Sequence, residues 1–426
     1  MAGVIASLAV IFSRIWARSD SDSDVPPTPE DGQRQLLVDV STIRQHDART
    51  GIQRVVRGVL LHLLDVEGEG FAVRPVFAAG PGDYRYAPRD VLQSSDVDAS
   101  GSAMPVSVKA GDVFLGLDLS AHILPRCGAM MRRWRARGVA CHIVVYDLLP
   151  ATHPDWFTAG GVRHFRRWLR FIADHADGVL CISDHVAGEF RRWIGTNYPR
   201  KVEGIAVERL LLGADLQTTG PSRGLPVGAE DFLSGMRHAP TILMVGTIEP
   251  RKAYELALAA MEHLWSSCPD RDWRLVIVGK AGWKTEDLQV RLARHPMAGT
   301  QLFHLSDASD EYLARLYGAC RCVLIASRDE GFGLPVIEAQ RFGRRVLARD
   351  LPVFRELQRP GMHYFADDAP GALAEAIVRC VDAGALREEE RIDAAEIMDW
   401  QVATDQLVRT LGLLLLPQAS GRNISA

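Results

Sequence analysis

The chain has 426 residues, of which 47% are hydrophobic and 24% are charged. This length exceeds what one hydrophobic core usually covers, and the composition is that of a globular protein, so two domains are expected. The 49 lysines and arginines face 53 aspartates and glutamates. This balance gives no electrostatic case for a nucleic-acid partner.

The seven cysteines form no CxxC pair, and most of them lie in apolar runs. This pattern predicts reduced, buried thiols in a cytoplasmic protein, rather than a disulfide framework or a zinc site. They are Cys127, Cys141, Cys181, Cys268, Cys320, Cys322 and Cys380.

Residues 1–34 form an apolar leader followed by a Ser/Asp/Pro-rich tether. The apolar part is short for a membrane span and lacks the basic start of a signal peptide. One interpretation is an interfacial helix that holds the protein at a membrane surface, and the alternative is a disordered leader of no consequence.

Residues 35–220 alternate short apolar runs with amphipathic stretches, which is typical of parallel sheets covered by helices. Strands are predicted at Leu36–Val40, Val73–Ala78, Val113–Leu117, His142–Tyr146, Val179–Ile182 and Val207–Leu212. Between them, helices are predicted at Gly51–Leu64, Leu124–Arg137, Val162–His175 and Asp184–Ile194. These residues form the first predicted domain.

Residues 221–236 are rich in Gly, Pro and small polar residues and are predicted to be a linker. The strand–helix rhythm then restarts over residues 237–400, with strands predicted from Thr241, Leu275, Leu302, Cys322 and Arg345. A last apolar helix is predicted within residues 401–426. The fold class is therefore α/β, with two doubly wound, Rossmann-like domains facing each other across a ligand-binding cleft.

The stretch "SRDEGFGLPVIEA" places two carboxylates around a glycine-rich turn. Pro335 suits the start of a helix, so Glu330 is predicted in the loop after a buried strand and Glu338 in the first helical turn. Gly331 and Gly333 permit close backbone approach to a ligand, and the free N–H groups at the helix start favour an anion.

The stretch "VGTIEPRK" supplies the cations that such a site needs. It predicts a strand, a turn at Gly246, and a helix preceded by Arg251 and Lys252. Because both stretches leave carboxyl ends of strands in one sheet, the cations can hold a diphosphate while the carboxylates hold hydroxyls. That combination describes a nucleotide-sugar.

At these residues the chain resembles glycosyltransferase family 4, a family of retaining enzymes with the GT-B fold. "VGTIEPRK" and "EGFGLPVIE" resemble the donor domain of the family, including its glutamate, seven residues, glutamate signature. "LLVDVSTIRQHDARTGIQRVVRGVL", "VVYDLLPATHPDWF" and "LCISDHVAGEF" are similar to a subgroup of bacterial O-antigen and polysaccharide transferases, many of them mannosyltransferases.

The resemblance implies a role for each matching residue. Lys252, with Arg251, would clamp the diphosphate, Glu330 would contact the donor sugar and Glu338 the ribose. Backbone N–H groups of Gly331, Phe332, Gly333 and Leu334 would line the sugar and phosphates, with Gly246 in the turn beside them. Thr50 and Gly51 would close over the phosphates from the first domain, and the last helix would cross back to that domain.

Three positions depart from the family pattern. Thr247 stands where many relatives have an arginine, Tyr146 stands where many have a histidine, and Ala253 replaces a polar residue that often follows the lysine. Asp147, next to Tyr146, is a candidate for orienting the acceptor, the alternative being that it only caps a loop.

The resemblance implies transfer of a hexose, with mannose from GDP-mannose as the first choice of donor, to a glycan or polyprenyl-diphosphate-linked acceptor. Such a protein would be cytoplasmic, with peripheral contact at the inner membrane. No cofactor is expected, because the pattern offers no metal-binding carboxylate pair: Asp367–Asp368 is interpreted as a solvated loop, and His153, His164 and His185 are not at ligand spacing. Tryptophans at 134, 156, 168 and 193 are either core residues or platforms for an acceptor.

Alternative donors are UDP-sugars and other GDP-sugars. An epimerase or a phosphorylase would use the same architecture, but the residues each would need are not evident in the sequence. A non-catalytic nucleotide-sugar-binding scaffold of a polysaccharide assembly complex is the alternative from another class of protein.

Overall fold

The computed structural model describes residues 33–47, 50–66, 70–92, 103–216, 224–387, 390 and 398–413. Residues 1–32 of the predicted leader therefore lie outside the described residues, as does the end of the chain from residue 414. Arg34, predicted as the last residue of the leader, is instead the first residue of the first strand. Among the described residues, no helix is long and apolar enough to cross a bilayer.

The first domain is built on a seven-stranded sheet. Its strands are β1 (Arg34–Asp39), β2 (Phe71–Gly80), β3 (Asp83–Tyr86), β4 (Val113–Gly116), β5 (Ala140–Val145), β6 (Gly178–Cys181) and β7 (Ala206–Arg209). Its helices are α1 (Ser41–Gln45), α2 (Gly51–Asp65), α3 (Gly128–Ala136), α4 (Leu149–Thr152), α5 (Ala159–His175) and α6 (Asp184–Asn197). The strand order is β3-β2-β1-β4-β5-β6-β7, parallel except for the β2–β3 hairpin.

The second domain is built on a six-stranded parallel sheet. Its strands are β8 (Thr241–Val245), β9 (Arg274–Val278), β10 (Leu302–Leu305), β11 (Cys322–Ile325), β12 (Arg345–Arg349) and β13 (Met362–Phe365). Its helices are α7 (Ala229–His238), α8 (Tyr254–Ser267), α9 (Glu286–Arg294), α10 (Asp310–Ala319), α11 (Leu334–Arg341), α12 (Pro352–Glu356) and α13 (Pro370–Asp382), and α14 (Trp400–Thr410) follows. The strand order is β10-β9-β8-β11-β12-β13.

The core of the second domain lies on both faces of its sheet. Along β8, Ile242 and Met244 join one apolar cluster while Leu243 joins the other. This follows from the alternation of side chains along a strand that is buried on both faces. The direction of winding reverses between β8 and β11, and in open α/β sheets the crevice at such a reversal is where ligands bind.

The last helix, α14, packs on the first domain and not on the second. Trp400 is fully buried in the core of the first domain, together with Leu407 and Val408, and α14 runs against α2. This is the position that the resemblance implies for the last helix.

The predicted linker is wrong from Ala229 onward, where α7 begins. Helix α7 has Glu230 in its first turn and Arg237 in its last, which suits the helix dipole. Leu233 and Met236 are buried against the second sheet. The preceding run of Gly and Pro obscured this short amphipathic pattern. The sequence also gave no signal for β3 or β13, which are edge strands of four residues.

All seven cysteines are free thiols, and all but Cys268 are buried. This outcome matches the prediction that they pack as small apolar side chains.

Candidate active site between the two domains

The loop after β8 presents two adjacent cations. Arg251 and Lys252 complete a 3-10 turn, Pro250–Lys252, and Ala253 follows in the left-handed conformation at φ 51°. Such a conformation is unfavourable for a residue with a side chain and persists only where the surroundings hold it. Gly246, at the start of the loop, accepts a hydrogen bond of 2.6 Å from the Tyr254 hydroxyl. The loop therefore holds both cations in a defined place.

Glu330, in the loop after β11, lies at the centre of an ion-pair cluster. One carboxylate oxygen pairs with Arg251 at 2.5 Å, and the other pairs with Lys252 and accepts a hydrogen bond of 2.8 Å from Ser327. Arg251 also pairs with Glu249 at 2.7 Å. The backbones of the two loops are joined where the N–H of Arg328 donates to the carbonyl of Arg251 at 2.7 Å.

The cluster strongly perturbs its carboxylates. Burial alone would raise the pKa of Glu330, but Arg251 and Lys252 together lower it to about 2. Burial raises the pKa of Glu249 above its usual value, against the pull of Arg251. Burial also raises the pKa of Asp147 to about 6, with Arg251 opposing and Glu330 adding to the rise. When all three carboxylates are ionised, they outnumber the two cations around them.

Gly331 is the point at which the loop after β11, residues 326–333, meets the first domain; this loop is called the donor loop below. A Cβ at Gly331 would overlap the carbonyl oxygen of Tyr146 and come within 3.2 Å of the Cβ of Asp147. The hydroxyl of Ser183, at the start of α6, donates to the Gly331 carbonyl at 2.7 Å. Phe332, the next residue, is buried within the apolar cluster of the first domain.

Asp147 thus lies beside the cluster, where one of its oxygens also accepts the N–H of Leu149 at 3.1 Å. The side chain of Tyr146 extends into the first domain. Its hydroxyl donates to the carbonyl of Leu117 at 2.7 Å in the core of the first domain. Only its backbone contacts the donor loop.

Glu338 lies in a second group, away from the cluster around Glu330. Helix α11 begins at Leu334, with Pro335 in its first turn, so Glu338 falls one turn further in than predicted. Its carboxylate accepts a hydrogen bond of 2.6 Å from the Tyr317 hydroxyl and pairs with Arg54 of α2, and its side chain is only 1% exposed. Arg54 is also 3.1 Å from Asp310.

Thr50 and Gly51 lie at the start of α2, on the side of the boundary that faces α11. Thr50 caps α2 through a reciprocal pair of hydrogen bonds with Gln53. A Cβ at Gly51 would be 3.6 Å from Leu334. The predicted site residues are therefore divided between a group around Glu330 and a group around Glu338.

Sequence reasoning missed Glu249, Ser327 and Arg54. Glu249 lies within the "VGTIEPRK" stretch, between Ile248 and Pro250. Its position in this stretch could have indicated that it belongs to the site. Arg54 gave no local signal, since its partner lies in the other domain.

The other tryptophans and the Asp367–Asp368 pair considered from the sequence lie outside both groups. Trp134 and Trp168 are buried in the first core, and Trp193 packs beside Tyr198. Asp368 is exposed and pairs with Arg349 at 2.7 Å. Within the described ranges, no three His, Cys, Asp or Glu side chains are grouped as metal ligands.

Residues 236–396 match the family model described as glycosyl transferases group 1. This stretch contains Arg251, Lys252, Glu330 and Glu338. This part of the chain belongs to that family. It is 38% identical over 386 residues to the serotype-specific mannosyltransferase WbdA of Escherichia coli, an alignment that covers 89% of this chain and 45% of WbdA. It is also 27% identical over 272 residues to O-antigen chain mannosyltransferase B of Escherichia coli, covering 63% of this chain and 69% of that protein.

The chain spans about half the length of the WbdA proteins that it matches. Two solved structures share the fold over most of this chain. HepE of Anabaena, in complex with UDP and glucose, has a TM-score of 0.60 at 16% identity and covers 90% of this chain and 100% of HepE. Sucrose-phosphate synthase from Thermosynechococcus elongatus has a TM-score of 0.61 at 17% identity and covers 89% and 99%. The predicted GT-B fold is confirmed.

Proposed function

We propose that the chain transfers a hexose from a nucleotide-sugar to a glycan or lipid-linked acceptor, with retention, in the synthesis of a bacterial surface polysaccharide. The observation that carries the proposal is the buried cluster of Arg251, Lys252 and Glu330 at the reversal of strand order. Mannose from GDP-mannose is the donor we infer, because WbdA and O-antigen chain mannosyltransferase B are mannosyltransferases by name.

Donor binding would exchange partners within the cluster. A diphosphate brings negative charge to Lys252 and Arg251, and Glu330 is then released to accept hydrogen bonds from sugar hydroxyls. The N–H groups at the start of α11 add further donors for the phosphates. The cluster is thus paired internally while empty and pairs with the donor when it is occupied.

The chemical step would proceed by attack on the face from which the leaving group departs. The acceptor oxygen bonds to the anomeric carbon as the bond from that carbon to the diphosphate oxygen breaks, and the departing phosphate takes the acceptor proton. Arg251 and Lys252 stabilise the charge that grows on the diphosphate. Asp147, ionised at neutral pH, would orient the acceptor hydroxyl from the first domain.

We propose that these cations make the reaction independent of a divalent metal. Turnover measured in EDTA and again with added Mg²⁺ or Mn²⁺ would then be equal. A loss of more than about tenfold in EDTA that Mg²⁺ restores would assign the leaving group to a metal instead.

The first test is a thermal-shift and calorimetric panel of GDP-, UDP-, dTDP- and ADP-sugars, followed by NMR of the product formed on a mannoside acceptor. We expect stabilisation by GDP-mannose and an α-linked product, because a ligand that binds only the folded chain raises its stability. Stabilisation by a UDP-sugar or another GDP-sugar instead would identify that sugar nucleotide as the donor. Binding without turnover would favour the non-catalytic scaffold.

We also propose a peripheral contact with an anionic membrane on the cytoplasmic side. The leader that motivated this prediction lies outside the described residues, but α5 offers a second candidate surface. Arg163, Arg166, Arg167 and Arg170 are exposed on α5, and arginines of this kind are attracted to anionic headgroups. Co-sedimentation with phosphatidylglycerol vesicles should fall either on deletion of residues 1–30 or in Arg166→Ser/Arg167→Ser, and if it falls in neither, the proposal is wrong.

A further inference from the structure

The loop after β9 crosses the domain boundary and ends on an aromatic contact. The indole N–H of Trp283 donates to the carbonyl of Trp156 at 2.7 Å, and Lys284 donates to the carbonyl of Asp155 at 2.6 Å. The ring of Phe157 lies 5.8 Å from that of Trp283. More than a third of the Trp283 side chain nevertheless remains exposed.

This loop is hydrogen-bonded directly to the loop after β8. The N–H of Ile248 donates to the carbonyl of Lys280 at 2.9 Å, and the N–H of Gly282 donates to the carbonyl of Ile248 at 3.0 Å. Lys284 stands at φ 56°, in the left-handed conformation. The position of Trp283 is therefore tied to the loop that carries Arg251 and Lys252.

On the first domain, the turn that carries Trp156 extends toward Glu330. The His153 ring stacks on Trp156 with centroids 4.1 Å apart. The Nε2 atom of His153 is 3.4 Å from the carboxylate of Asp329, which in turn accepts the N–H of Glu330 at 2.8 Å. An unbroken series of contacts thus joins the buried Glu330 to the exposed indole of Trp283.

The chemistry of this series fits a pyranose ring. Indole and phenyl rings pack against the apolar C–H face of a sugar, while a carboxylate and an imidazole accept and donate hydrogen bonds with its hydroxyls. The imidazole of His153 and the carboxylate of Asp329 both retain some solvent exposure, at 41% and 18%. Both groups are therefore partly open to a ligand that approaches from solvent.

We propose that Trp283, Trp156 and Phe157, with His153 and Asp329, form the acceptor subsite, which binds a neutral pyranose of the acceptor glycan beside the reacting sugar. This inference rests on the proposed transferase function. Because the walls of the subsite come from both domains, it is complete only when the two domains are in contact as they are in this structure.

The test compares Trp283→Ala and Trp283→Phe with a matched Trp193→Ala, which removes an indole on α6 outside the series. Initial rates are measured against an α-linked mannotriose and, separately, against GDP-mannose. Trp283→Ala should raise the KM for mannotriose by about three- to tenfold, as expected for loss of one stacked aromatic contact, with the KM for GDP-mannose kept. Trp283→Phe should recover most of the loss, and Trp193→Ala should show none.

Two results would overturn the subsite. An increase in the KM for GDP-mannose equal to that for mannotriose would make Trp283 a closure contact. A Trp283→Phe variant as impaired as Trp283→Ala would assign the effect to the indole hydrogen bond.

Direct binding separates the subsite from the proposed function. Quenching of tryptophan fluorescence by mannotriose, with GDP present to occupy the donor site, should occur in the wild type and be weakened in Trp283→Ala. If GDP-mannose is neither bound nor turned over by the wild type, the donor assignment fails whatever the fluorescence shows. If donor turnover is intact and mannotriose causes no quenching and has no saturable effect on rate, the subsite alone fails.

Discussion

Arg54 of the first domain pairs with Glu338 of the second, although 284 positions separate them in the chain. The Tyr317 hydroxyl binds the other oxygen of the same carboxylate. Burial alone would lower the pKa of Arg54, but Glu338 and Asp310 raise it, so the guanidinium stays charged. Both oxygens of Glu338 are therefore engaged. If a ribose binds this carboxylate, as the family resemblance implies, it would have to share the carboxylate with Arg54 or replace it, and nucleotide binding would then be coupled to the contact between the domains.

Arg54→Met should destabilise the empty protein, since removing one partner leaves a buried carboxylate without its countercharge. Arg54→Met combined with Glu338→Gln should cost less than the two separate losses together. Urea unfolding of the four proteins in the cycle measures the coupling free energy, expected to be about 1–3 kcal/mol. Strictly additive losses would show that the pair contributes nothing to the stability of the closed arrangement.

Glu330→Gln should reduce transfer by at least about a hundredfold while the protein stays folded. The amide keeps the shape of the side chain but removes the negative charge that pairs with Arg251 and Lys252. Because the two cations lose this partner, they should bind GDP at least as tightly as in the wild type. Calorimetry with GDP and initial rates with GDP-mannose measure the two effects. The matched control, Glu375→Gln, changes an exposed glutamate of α13 and should alter neither; weaker GDP binding in Glu330→Gln would contradict the exchange of partners.

Asp147 should cause the transfer rate to fall on the acidic side of its pH profile. Burial raises its pKa to about 6, although Arg251 acts in the opposite direction. If the ionised carboxylate orients the acceptor, kcat/KM falls about tenfold for each pH unit below 6. Asp147→Asn should be slower at neutral pH, and its kcat/KM should no longer fall below pH 6. If the acidic fall in kcat/KM is unchanged in this variant, another group is responsible for it.

The same carboxyl has an opposite effect on stability. Its pKa in the folded chain lies above the ordinary value of 3.8, so its contribution to stability is fully present below about pH 4 and is lost as the pH rises through 6. At pH 7.5, Asp147→Asn should therefore be more stable than the wild type, by about 1 kcal/mol after allowance for solvent access. Urea unfolding at pH 7.5 and at pH 4 gives the comparison, and equal gains at both values would exclude the titration as the cause.

Gly331→Ala should separate the donor loop from the first domain. The added methyl group would overlap the carbonyl of Tyr146. The loop would have to shift, which would disturb the hydrogen bond from Ser183 and the buried position of Phe332. We expect a loss of about 2 kcal/mol or more in stability and a larger radius of gyration in X-ray scattering. Gly318→Ala is the control, because a Cβ at that helical position meets nothing within 4 Å. Unchanged scattering and stability in Gly331→Ala would mean that the loop does not hold the domains together.

Local features of the site followed from the sequence. The turn at Gly246, the cations before α8, and the loop that carries Glu330 each depend on a few consecutive residues. The proximity of Lys252 to Glu330 was also predictable, because parallel strands of one sheet end at the same edge and β8 and β11 are neighbours. Helix α7 was missed because a run of Gly and Pro precedes only ten helical residues.

By itself, the sequence determined the two α/β halves and the charges that follow their strands, since hydrophobic periodicity and turn chemistry act over short stretches of chain. Only the tertiary structure decided which groups meet across the boundary: Arg54 with Glu338, His153 with Asp329, and Trp283 with Trp156. These contacts depend on how two separately folded sheets are placed against each other. Phe332 and α14, which pack in the core of the first domain, are among the contacts that hold this placement. No local pattern in the sequence encodes it.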